Sequence, residues 1–164
     1  MAAVPSTHAL GRMIELGDLP RQRDGTGSDS LLLVLFKSIG AATDTTLRNS
    51  VTYADLLTAG AVACDFTNYS PKVLGPADRT IGYGTGTAPN YTTPFKSTLT
   101  IAQQTWDPAG GAVNNSPVRA ALLYRDDPST ALGSCRVLGL CDTSGTAAGG
   151  TYSITFGVMT DQAT

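Results

Sequence analysis

The segment Leu31–Ser38 reads LLLVLFKS, and it decides the fold because the residues before it are mostly polar residues and glycine. Leu31 to Phe36 form an unbroken apolar run that Gly-rich segments bound. A short run of this kind is typical of a strand buried on both faces. We therefore predict a buried strand here and a single β-rich domain over residues 30–164.

One short helix is predicted after this strand. Thr52 is a candidate N-cap, and Asp55 follows three positions later as the acidic member of a capping box. Leu56 and Leu57 would supply the apolar face, and Gly60 would end the helix. The residues before it, 44–50, are interpreted as a loop.

The remaining strands are predicted from alternation of apolar and polar residues. Asn68 and Tyr69 are expected to end a strand before a bend, and residues 74–94 to form a long loop rich in Gly, Thr and Pro. Later strands are predicted in STLTIAQQTW (97–106), VRAALLY (118–124), CRVLGL (135–140) and TYSITFGV (151–158). Alternation would place Leu99, Ile101 and Gln103 on one face of the first of these strands, and Tyr152, Ile154, Phe156 and Val158 on one face of the last. The pattern predicts a mainly β fold, sandwich-like or barrel-like, with one short helix and an extended N-terminal arm.

Residues 1–29 form the predicted arm because Pro and Gly recur too often for a long element. Four apolar residues nevertheless lie within seven positions: Leu10, Met13, Ile14 and Leu16. The arm is either a solvated terminus or a segment that becomes ordered on a partner subunit. On the second interpretation these four residues are candidate partner contacts.

Composition and charge exclude several classes of protein. Lys and Arg number 11 against 13 Asp and Glu, for a net charge of −2 without a basic cluster, so we expect no direct nucleic-acid binding. The apolar run at Leu31–Phe36 is far below the roughly 20 residues of a membrane-spanning helix, and the N-terminus lacks the pattern of a secretory signal. Three cysteines are an odd number and predict reduced thiols, as expected for a chain made in a cytoplasm.

No motif in the chain predicts an enzyme, a metal site or a cofactor. The single histidine, His8, lies in the arm, where rigid placement of a general base is hard to arrange. The Gly-rich segments 24–30 and 82–90 lack the spacing of a calcium loop and of a phosphate-binding loop. Asp126 and Asp127, directly before Pro128, are interpreted as turn formers.

Three aromatic residues lie in or beside the long Gly/Thr/Pro loop: Tyr83, Tyr91 and Phe95. Aromatic side chains without a strand to pack in often become interface anchors. The alternative is that the loop folds back over its own core. We treat these residues as candidate partner contacts.

The order of five segments across residues 31–130 is distinctive: LLLVLFKS, DTTLRNSVTYADLL, CDFTNYSPKVL, QQTWDPAGGAVNN and AALLYRDDP. Its most specific part pairs D-F-T-N-Y at 65–69 with T-W-x-x-A-G-G-A-x-N-N at 105–115. This order resembles a family of small virion structural proteins of tailed bacteriophages, described as head-decoration or minor structural proteins. The chain departs from the family pattern at Pro71, where a basic residue is more usual, and in its long Gly/Thr/Pro loop.

The resemblance implies a structural protein with no catalytic residues to carry over. The expected function is that of a capsid decoration or cement protein on the capsid exterior of the virion, bound to the assembled shell of major capsid protein. It would act as a homo-oligomer, for example a trimer on local symmetry axes, and would have no membrane partner. The alternative is a tail- or fibre-associated protein that binds a receptor or glycan.

Overall fold

The computed structural model of the chain describes residues 4–5, 30–83, 96–109, 116–145, 150–156 and 159–162. In chain order its strands and helices are β1 (Val4–Pro5), β2 (Ser30–Ser38), α1 (Asp44–Arg48), α2 (Tyr53–Thr58), β3 (Val62–Ala63), β4 (Lys72–Leu74), β5 (Arg79–Tyr83), β6 (Lys96–Ile101), β7 (Gln104–Ala109), β8 (Arg119–Arg125), β9 (Arg136–Asp142), β10 (Gly150–Ile154) and β11 (Met159–Gln162). Short 3₁₀ turns span Pro76–Asp78 and Leu132–Ser134. The mainly β prediction is confirmed.

Strand β2 is the centre of a six-stranded antiparallel sheet, in the order β1-β9-β8-β2-β3 with β4 also paired to β2. One side of β2 pairs with β8 along Ser30–Phe36. Its other side is shared, because β4 pairs with Leu31–Leu33 and β3 pairs with Phe36 and Ser38. Two smaller antiparallel sheets complete the fold, β7 with β10 and β5 with β6 and β11.

The two faces of β2 belong to two separate cores, as a strand buried on both faces requires. Leu31, Leu33 and Leu35 pack on one side against residues of β6, β7 and β10, among them Ile101 and Trp106. Leu32, Val34 and Phe36 pack on the other side against side chains of α1 and α2. The molecule is therefore sandwich-like, with two short helices covering the outer face of the large sheet.

The two helices differ in how well the sequence predicted them. Helix α2 has the predicted capping box, in which Asp55 N donates to Thr52 Oγ1 at 3.2 Å and Thr52 N donates to Asp55 Oδ2 at 2.9 Å. Its buried residues are Tyr53 and Leu56, whereas Leu57 is 42% exposed, so the predicted apolar face was wrong at Leu57. Helix α1 replaces part of the predicted loop 44–50, because its N-cap, Thr43, accepts a hydrogen bond from Thr46 N.

The predicted strand 97–106 is two strands, β6 and β7, and its alternation therefore changes phase. Leu99 and Ile101 are buried as predicted, but Gln103 is exposed and Gln104 is buried. Asp78 causes the break, because its carbonyl accepts from Ala102 N at 2.7 Å and its carboxylate accepts from Gln104 Nε2 at 3.2 Å. The chain then continues into β7 with Trp106 facing the core.

The bend predicted at Asn68 is present, although no strand leads into it, since β3 ends at Ala63. Asn68 has φ of 66°, a left-handed conformation that asparagine tolerates better than most residues. Tyr69 N donates to Phe66 O at 2.9 Å and closes the turn. The bend directs the ring of Tyr69 into the core, where it packs beside Phe66 and Trp106.

Candidate functional site

Part of the long Gly/Thr/Pro loop that was predicted at residues 74–94 forms regular secondary structure. β4, a 3₁₀ turn and β5 occupy residues 72–83, so the prediction of one long loop over residues 74–94 was wrong at residues 74–83. Tyr83 is the last residue of β5 and pairs with Ser97 of β6. Tyr83 therefore belongs to a paired strand, whereas we expected it to lie within a loop. Tyr91 and Phe95 lie outside the described residues.

The arm is described only at β1. Val4 pairs with Leu140 and Pro5 pairs with Gly139, both antiparallel, so β1 lies on the outer edge of β9. This contact was not predicted, because two residues carry no periodicity. The candidate contacts Leu10, Met13, Ile14 and Leu16, together with His8, lie outside the described residues.

The outer edge of β9 is covered by two short segments from distant parts of the chain. At its start, Thr52 forms a bridge with Arg136, and Val137 N donates to Val51 O at 2.9 Å. Further along, β1 pairs with Gly139 and Leu140. The interior of β9, from Val137 to Cys141, is buried. An apolar strand at a sheet edge presents backbone groups that another strand can pair with.

Two carboxylates and one guanidinium hold the far end of β9. Arg119 of β8 contacts Asp142 of β9 at 2.8 Å and Asp44 of α1 at 3.0 Å. The Arg119 side chain is largely covered, whereas both carboxylates are exposed. The contact links the end of β9 to the helical layer.

Large exposed apolar side chains in the described ranges are aliphatic and lie in part along the sheet edges. Val62 of β3 and Val73 of β4 are 46% and 57% exposed at one edge. Val51, which is 47% exposed, lies beside the β9 edge at the other. The other two exposed aliphatic side chains are those of Val118 and Leu57. All five are aliphatic, and exposed aliphatic side chains at single positions are common on protein surfaces.

A polar groove lies between α1 and α2. It has a volume of about 420 Å³, and its lining is rich in hydroxyl and amide groups: Thr45, Thr46, Asn49, Ser50, Asp55, Thr58 and Ala59. The one charged side chain in this lining, Asp55, forms the capping box of α2 with Thr52. Hydrogen bonds from the backbone and side chain of Thr52 lower the pKa of Asp55. This carboxylate therefore has a structural role in capping α2.

The three cysteines are buried free thiols, which fits the prediction of reduced cysteines. Burial raises the pKa of Cys64 to about 12, and burial also raises the pKa of Cys135. A nucleophilic cysteine needs the opposite shift, because the thiolate is the reactive form. Within the described ranges, no group of three His, Cys, Asp or Glu side chains is placed to hold a metal ion.

The paired aspartates before Pro128 form a turn. Asp127 Oδ1 accepts from Ser129 N at 2.7 Å, and Asp126 Oδ1 accepts from Thr130 Oγ1 at 2.7 Å. Both carboxylates are exposed on the loop after β8. The interpretation of these residues as turn formers is confirmed.

No protein-family model, curated protein or solved structure matches the chain. Among the described residues, none of the helices is both long enough and apolar enough to span a membrane.

Proposed function

We propose that this chain is a structural protein of a tailed-phage virion, a capsid decoration protein that binds the assembled shell of major capsid protein from outside and stabilises it. It acts by contact and not as an enzyme. Each copy bridges neighbouring capsid subunits, and the apolar area buried between folded chains raises the barrier to shell rupture. It binds as a homo-oligomer, for which we propose a trimer.

The observation that carries this proposal is that the two most specific motifs of the resemblance meet in the core. Phe66 and Tyr69 belong to D-F-T-N-Y, and Trp106 belongs to the second motif. The ring centroids of Tyr69 and Trp106 lie 6.2 Å apart, and Trp106 Nε1 donates to Ser70 O at 3.0 Å. The motif residues thus build the scaffold, which fits a family whose function is structural.

The exposed apolar groups favour a protein partner over a glycan. In the described ranges these groups are aliphatic, with Val73 and Val51 at opposite edges of the large sheet. A sugar-binding surface would instead present aromatic faces beside polar groups. The groove between α1 and α2 is polar but has no aromatic side chain in its lining. These features fit a protein partner, and the tail- or fibre-associated alternative rests on the aromatic candidates of the long loop, which the binding experiments below test.

The arm is tested by binding to purified shells. A chain that lacks residues 1–20 should fold, as judged by circular dichroism, yet remain in the supernatant when phage shells without the native protein are sedimented. The full chain should sediment with the shells until its sites are saturated. Full binding by the shortened chain would contradict the role of the arm, and no binding by the full chain would contradict the proposed function.

A second comparison separates protein contact from loop-mediated glycan binding. Tyr91→Ala and Phe95→Ala remove two candidate contacts, and Tyr124→Phe is a control inside the core that alters no exposed group. Loss of shell binding in the first two variants, with the control unchanged, supports the loop as a capsid contact. Retained shell binding together with lost adsorption to host cells would favour the tail-associated alternative.

A further inference from the structure

The part of the chain between β1 and β2 leaves and re-enters the described fold at one end of the large sheet. β1 runs antiparallel to β9 with Pro5 opposite Gly139, so the chain leaves Pro5 in the direction of Arg136, the first residue of β9. β2 begins at Ser30, which lies at the same end, because the last residues of β8 pair with the first residues of both β2 and β9. Residues 6–29 therefore begin and finish on this side of the molecule.

Helix α2 starts at the same end of the sheet. Val51 O accepts from Val137 N at 2.9 Å, which is two residues, or about 7 Å, beyond Gly139 along the edge of β9. Tyr53 N donates to Cys135 O at 2.9 Å and fixes the first turn of the helix beside the residue that precedes β9. The start of α2 thus lies directly ahead of the chain as it leaves β1.

The exposed apolar side chains of α2 face this end of the sheet. Ala54 and Leu57 are both exposed and share one side of the helix because they are three positions apart. A Cβ at Gly133, in the 3₁₀ turn that leads into β9, would lie 3.8 Å from the Cβ of Ala54, so this side faces the start of β9. Asp55 instead lines the groove toward α1. With the exposed Val51, Ala54 and Leu57 form what we call the α2 patch.

The segment that leaves β1 in this direction carries the apolar residues of the arm. Leu10, Met13 and Ile14 have the spacing i, i+3, i+4, which places side chains on one side of a helical turn, and Leu16 follows two positions later. Leu10 is five residues after Pro5, a reach of up to about 17 Å. The first apolar side chain of the arm therefore occurs where the chain passes the α2 patch, and contact removes apolar surface of both from water.

We propose that residues 10–16 dock on the α2 patch of the same chain. The chain's own segment is the occupant, rather than a second copy, because Val4–Pro5 lies on the β9 edge of its own chain and directs the segment past its own Val51. The α2 patch is thus an internal docking surface for the arm. This inference concerns the free chain and does not depend on whether the arm later contacts a capsid.

Protection of a thiol introduced into the patch tests the docking. Ala54→Cys keeps Val51 and Leu57 in place, and the native cysteines are buried and give a slow background. Reaction of this thiol with a chromogenic reagent should be about tenfold slower in the full chain than in the same chain with Met13→Ser and Ile14→Ser. Equal rates in the two chains would overturn the proposal, because the segment would not cover the patch.

A control and a second reporter complete the experiment. Val73→Cys lies at the opposite edge of the sheet, on β4, and should react equally fast with and without the two arm substitutions. A slower reaction there as well would overturn the assignment to α2. Leu57→Cys repeats the measurement with the same expectation if Ala54→Cys does not fold, as judged by circular dichroism.

Dilution distinguishes docking within one chain from docking between copies. Protection of Ala54→Cys should stay constant when the chain is diluted, because the segment and the patch belong to one molecule. Protection that appears only in concentrated solution would show that a second copy covers the patch, and it would overturn the proposal.

Discussion

The hydroxyl of Tyr69 lies against the backbone of Leu35, accepting from its N–H at 2.8 Å and donating to its carbonyl at 3.3 Å. Leu35 falls between the part of β2 that pairs with β4 and the part that pairs with β3. The Leu35 carbonyl also accepts from Cys64 N at 2.9 Å, so the contribution specific to Tyr69 is an acceptor for the N–H of Leu35. Burial raises the pKa of Tyr69, which keeps this hydroxyl protonated and able to donate.

Tyr69→Phe should destabilise the fold by about 1–3 kcal/mol, because it leaves the buried N–H of Leu35 without a partner. The ring and its packing beside Trp106 remain. The measurement is urea unfolding followed by circular dichroism. Tyr152→Phe is the matched control, since the Tyr152 hydroxyl makes a longer bond of 3.5 Å to Ser144 O. An equal loss in both variants would contradict the account of Leu35.

The capping box of α2 predicts a pH dependence. The lowered pKa of Asp55 means that its contribution to stability is complete above the unfolded value of about 3.9 and is lost as the pH falls through the folded pKa. Asp55→Asn should therefore be less stable than the wild type at pH 6, and the difference should shrink toward pH 2. Thermal melts across this range measure it, and a constant difference would contradict the prediction.

Thr52→Ala removes the other half of the same box and should cost about 0.5–2 kcal/mol at neutral pH. Thr58→Ala, at the opposite end of α2, is a control on an exposed residue. Because alanine has a higher helix propensity than threonine, Thr58→Ala should not destabilise α2, and a similar loss in both variants would contradict the role of the cap.

The turn after β2 predicts a difference between two glycines. Gly40 has φ of 56°, and a Cβ there would lie 2.9 Å from the carbonyl oxygen of Gly60. Gly40→Ala should therefore lower the free energy of unfolding by more than the roughly 1–2 kcal/mol that a left-handed conformation alone would cost. At Gly133, the nearest atom to an added Cβ is the Cβ of Ala54 at 3.8 Å, an ordinary contact. Gly133→Ala should be tolerated, and urea midpoints that move equally would contradict the geometry.

The three buried thiols should be unreactive in the native chain. Because burial raises the pKa of Cys64 to about 12, little thiolate forms at pH 8. Titration with a chromogenic thiol reagent should give slow modification of the folded protein and rapid reaction of all three thiols in denaturant. Rapid reaction of one native thiol would place that cysteine outside the core.

The sequence predicted the elements whose signals are local. The apolar run of β2 and the Thr52–Asp55 pair identified a doubly buried strand and a capped helix because each signal lies within one element. The alternation in TYSITFGV correctly predicted that Tyr152, Ile154 and Phe156 share a buried face. Val158, the last residue predicted for that face, lies outside the described residues.

The elements that the sequence did not predict depend on partners elsewhere in the chain. Periodicity cannot show that Asp78 binds Ala102 and splits one predicted strand into β6 and β7. It also cannot show that β1 finds an edge more than 130 positions away, at Gly139 and Leu140. For the candidate site, the sequence proposed the arm and the loop as contacts. The β9 edge could be recognised only from the order of the strands in the sheet.

Imaging of the intact phage particle tests the central claim most directly. We predict density for this chain at regular lattice positions on the capsid exterior, with hundreds of copies per head, because a decoration protein follows the symmetry of its shell. Particles assembled without it should lose this density and rupture at lower temperature. Density confined to a few copies at the tail, with bare heads in the native particle, would contradict the claim.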